Sequence, residues 1–72
     1  MKPWDFMNIL WNDLHLEFRV TSIDSGAAVY VTSVSVDDMA EYITDIQKRA
    51  GLTPSLIDEN SNEFELGYSF ND

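Results

Sequence analysis

Seventy-two residues carry thirteen Asp or Glu against four Lys or Arg, a net charge of −9, with no cysteine. So short a chain builds one core, and the lack of cysteine removes disulfides and thiolate metal sites and suits a reducing cytoplasm. The acidity disfavours direct binding of DNA, RNA or an anionic membrane surface and points to a basic protein surface as partner. At 44% hydrophobic residues the chain is too apolar for an acidic disordered tail, so residues 1–72 are expected to form a single acidic α+β domain. No basic segment leads into a long apolar one, and no stretch approaches the ~18 apolar residues of a membrane span. A soluble, unexported protein is expected, and the run from Met1 to Asn71-Asp72 reads as a complete small gene product.

Pro3 suits a first helical turn and Asp5 its dipole, which predicts a helix over about residues 3–12. Trp4, Met7, Trp11 and Leu14 are expected to share one face while Phe6 and Ile9 point elsewhere; Phe6 and Ile9, or Trp4, are candidate exposed anchors for a partner, unless the small core absorbs them between the sheet and the second helix. From Leu14 the period changes to two: Leu14, Leu16, Phe18 and Val20 alternate with His15, Glu17, Arg19 and Thr21, the pattern of a half-buried strand. Turn chemistry from Ser22 to Gly26 leads into a return strand over Ala27 to Val34, closing a hairpin.

Ser35 follows as N-cap with Asp38 three residues on, and Val36, Met39, Ala40, Ile43, Ile46 and Ala50 keep helical spacing. Lys48 and Arg49 occupy the last turn and Gly51 the position just past it, which predicts a helix over 36–50. Ser55-Leu56-Ile57, a polar turn from Asp58 to Asn62, and the alternation of Phe64, Leu66, Tyr68 and Phe70 predict a second hairpin. The order α-β-β-α-β-β implies a four-stranded antiparallel sheet with both helices on its apolar face, its strand order open.

Catalytic equipment is sparse. His15, the only histidine, lies between Asp13 and Glu17, which suits a general base in principle but more simply a solvated strand residue. Asp58, Asn60 and Asn62 start a calcium-loop pattern, yet Glu63 stands where glycine is needed and Ser69 where glutamate is needed. There is no thiol, nucleophile elbow or phosphate-binding glycine loop, so no enzyme, metal or cofactor is expected.

Charge patterning is more informative. Asp38, Glu41 and Asp45 run at i, i+3, i+7 on the second helix, with Asp37 beside them, although Asp37 and Asp38 also serve the helix dipole. Glu63 and Glu65 are expected about 7 Å apart on one face of the last strand, near the spacing of successive phosphates, with Asp58 and Glu59 extending the field. In size, acidity and missing catalytic groups the chain resembles small acidic inhibitors encoded by phages and mobile elements, including anti-restriction and anti-CRISPR proteins and DNA mimics; no motif carries residue roles across.

The expectation is therefore a non-enzymatic inhibitor acting in the cytoplasm, the host's if phage-encoded. It would dock Asp37, Asp38, Glu41, Asp45, Glu63 and Glu65 on the basic site of a nucleic-acid-binding protein, anchored by apolar residues such as Phe6 and Ile9. The alternatives are an assembly module or homodimer using the aromatic first helix, and an immunity protein against a basic nuclease toxin.

Overall fold

A computed structural model describes residues 1–24, 26–33, 35–60 and 62–71. The features expected at Ser25, Val34, Ser61 and Asp72 lie outside them. Helix α1 (Pro3–Asn8) runs without interruption into a π-helical turn over Ile9–Asp13. Strands β1 (Phe18–Ile23) and β2 (Gly26–Ser33) follow, then helix α2 (Val36–Ala50), then β3 (Leu56–Glu59) and β4 (Phe64–Asn71). The sheet is antiparallel in the order β1-β2-β4-β3, so the two longest strands are central and each hairpin contributes one edge.

Alternation assigns the faces. Phe18, Val29, Val31, Leu66, Tyr68 and Phe70 point to the helices, where Phe6, Leu10 and Ile46 complete the core and Leu16 closes one end of it. Phe6 carries the centre of this packing: its ring lies 4.9 Å from that of Tyr68 and 5.3 Å from that of Phe70, both tilted. Each such pair adds about 0.5–1.5 kcal/mol to the burial of its apolar area.

Of the candidate anchors, Phe6 is thus ruled out: the core absorbs it. It and Leu10 are fully buried, Ile9 is half-buried, and the exposed aromatics are Trp4 and Trp11, at 60% and 63%. The face expected to join Trp4, Met7, Trp11 and Leu14 is thus divided: the two indoles are exposed, whereas Met7 and Leu14 pack against the core. The layer between helix and sheet admits the Phe6 ring, and residues i and i+4 supply it.

A second departure follows from the π turn. The Leu14 N–H donates to the Ile9 carbonyl at 3.1 Å and the Leu16 N–H to the Leu10 carbonyl at 2.8 Å, which ties 14–16 to the helix end and delays the strand to Phe18. His15 takes the left-handed conformation there (φ 56°) instead of lying on a strand. The alternation still records burial, since Leu16 is buried and Leu14 and Phe18 partly so. β1 also runs on to Ile23, which pairs with Gly26, so Gly26 belongs to the return strand and not to the turn.

Helix α2 matches its expected bounds. The Ser35 Oγ accepts the Asp38 N–H at 3.0 Å, Gly51 adopts φ 70°, and its N–H donates to the Gln47 carbonyl at 2.9 Å. Met39, Tyr42, Ile43, Ile46 and Ala50 form the face turned to the core. No helix among the described residues is long and apolar enough to cross a membrane.

Candidate functional site: an acidic and aromatic cleft

β2 ends at Ser33, opposite Phe64, so the segments leading into β1, α2 and β4 all gather at one end of the sheet. A cleft of about 310 Å³ opens there, lined by His15, Leu16, Glu17, Thr32, Ser33, Tyr42 and Glu63. Beside it, and sharing His15 and Glu17, a second cleft of about 360 Å³ is completed by Trp11 and Asn12. Together they make one concave strip running from the indole of Trp11 to the phenol of Tyr42.

Its electrostatics have one sign. Glu17 and Glu63 reach the strip from different segments, and Asp38 and Glu41 flank Tyr42 on α2. The Tyr42 hydroxyl is held above its ordinary pKa, first by partial burial and then by the fields of Asp38 and Glu41. No Lys or Arg lines either cleft. Aromatic faces among unpaired carboxylates suit a guanidinium or ammonium group, which gains both charge attraction and a cation–π contact. Among the described residues no three His, Asp or Glu side chains group as metal ligands.

The residues singled out from sequence therefore divide. Asp38, Glu41 and Glu63 come together at the strip. Asp45 lies one turn further along α2, half-buried, and Asp37 is exposed on its first turn.

Glu65 does not join them. It points to the helix-free face of the sheet, where its carboxylate accepts the Arg19 Nε–H at 2.9 Å, and Arg19 lies 4.2 Å above the Tyr30 ring. Gly67 makes room for that ring, because a Cβ there would come within 3.0 Å of Tyr30 Cε1. The expected Glu63/Glu65 array is thus broken: one carboxylate is neutralised by a cation from β1, two strands away. Arg49 lies 3.9 Å from the carboxylate of Asp13, the residue after Asn12.

The sequence places His15 beside Glu17, whereas Trp11 and Tyr42 join them only through the fold. Tyr42 sits at the margin of the apolar arc of α2, between Asp38 and Glu41 on one side and the core on the other, and that border position was the available signal.

No protein-family model, curated protein or solved structure matches this chain.

Proposed function

We propose that the protein is a non-enzymatic inhibitor, phage- or mobile-element-encoded and acting in the cytoplasm of the host cell. It binds the basic, nucleic-acid-binding surface of a host defence or DNA-processing protein. The observation that carries this reading is the strip itself: carboxylates from three separate segments converge beside the exposed Trp11 and the half-buried Tyr42, with no Lys or Arg among the described lining residues. Arg and Lys side chains that normally hold phosphates would enter it, steered by the net charge and held by aromatic faces. Asp37 and Asp45 widen the negative field, whereas Glu65 is occupied by Arg19.

The test is competition. A captured partner should be displaced by a short DNA or RNA duplex, and its affinity should fall steeply between low and physiological salt. The combined variant Glu17→Gln, Glu41→Gln and Glu63→Gln should weaken binding at least tenfold, whereas Glu65→Gln should change it little. Binding indifferent to salt, to nucleic acid and to the triple variant would sink the proposal. His15→Ala should leave inhibition intact, because no proton transfer is asked of the imidazole.

A further inference from the structure

We infer that β1 is a dimerisation edge, pairing antiparallel with β1 of a second copy so that two four-stranded sheets join into one continuous sheet. The two edges of this sheet are treated very differently. β3 is four residues long, carries Asp58 and Glu59, and is preceded closely by Pro54; short length, charge and proline are the devices that blunt an edge. β1 is six residues long, reads Phe-Arg-Val-Thr-Ser-Ile, contains no proline, and is exposed along nearly all its length.

Its single charge offers no protection. Arg19 folds back over Tyr30 to Glu65, with a further contact to Thr21 Oγ1 at 3.2 Å, so the guanidinium is drawn across the sheet and away from the open edge. A row of main-chain donors and acceptors is left for another strand to complete.

Self-complementarity of the strand points to a second copy as the occupant. At −9 per chain two copies repel over most of their surface, but β1 contains no acid. Antiparallel pairing about a two-fold axis at Val20 would set Val20 against its copy, Phe18 against Ser22, and each Arg19 against Thr21, with no like charges directly opposed. Val20, 47% exposed on the helix side of the sheet, would gain cover from its twin. In this register Glu17 stands opposite Ile23 of the second copy, so the Glu17 end of the strip adjoins the seam.

The test is the mass in solution. The wild-type chain should approach twice its 8.2 kDa as concentration rises. Added salt should favour the dimer by screening the flanking acids, the reverse of its effect on a basic partner. Val20→Lys should return the mass to that of one chain with the circular dichroism unchanged, since the side chain is exposed on an edge.

The chain is free of cysteine. Val20→Cys should therefore form a disulfide-linked dimer under mild oxidation, because facing antiparallel residues lie about 4.5–5.5 Å apart at Cα, within disulfide reach. Ile57→Cys, on the other edge, should not. A wild-type chain that stays monomeric into the millimolar range, a Val20→Lys variant that stays dimeric, or equal cross-linking through Ile57→Cys would each overturn the inference.

Discussion

Tyr68 carries an unresolved polar conflict at the centre of the molecule. Its ring packs against Phe6, but its hydroxyl is buried with no hydrogen-bond partner, the one such side-chain atom among the described residues. Burial pushes the phenol pKa up to about 12, from an ordinary value of 10.0. Because the folded-state pKa is the higher one, this group's contribution to stability is fully present below pH 10 and is lost as the pH rises towards 12. The loss approaches about 1.4 kcal/mol per pH unit once the unfolded chain ionises first. Tyr68→Phe keeps the ring and removes the orphaned group, so denaturation at pH 7 should show equal or greater stability, by up to about 1 kcal/mol, and the alkaline decline should flatten. His15 is the other residue held against its preference. Its φ of 56° lies where a Cβ is disfavoured, and it occupies the position after a helix end that glycine fills best. His15→Gly should therefore raise the midpoint of urea unfolding, by about 0.5–1 kcal/mol in free energy, and His15→Ala should not.

Among the elements, α2 and α1 make an instructive pair. Every signal for α2 is local: a serine that caps, acids at its start, cations in its last turn and a glycine beyond it. Its bounds were accordingly legible, and Ser35→Ala should cost about 1 kcal/mol, seen as a lower urea midpoint with an unchanged slope. Helix α1 is dense in apolar residues on several sides, and sequence spacing alone could not say which of them faced the sheet. The π turn over Ile9–Asp13 then changes the rotation per residue, which a uniform 3.6 period does not anticipate. The edge strands show a similar limit. Their alternation is readable, but that β1 and β3 lie outermost, and that only β3 is blunted, depends on the order β1-β2-β4-β3.

For the molecule as a whole, a charge of −9 on 72 residues acts on folding and on binding with opposite signs. Self-repulsion opposes the compact state, so the melting temperature should rise by several degrees as salt is added from about 10 mM to 0.5 M, while attraction to a basic partner weakens over the same range. A melting temperature that falls with salt would show that local ion pairs such as Arg19–Glu65 outweigh the general repulsion. The acidity, the α-β-β-α-β-β order, the span of α2 and the inward face of β4 are legible along the chain, because capping, dipole and alternation act between residues close in sequence. It took the packed fold to place Phe6 in the core and Trp11 on the surface, to draw Glu65 to Arg19 while Glu17, Asp38, Glu41 and Glu63 are left together, and to leave one sheet edge unguarded. Those outcomes depend on which strands become neighbours, and strand pairing brings together residues as far apart as Arg19 and Glu65, whose spacing along the chain carries no trace of the contact.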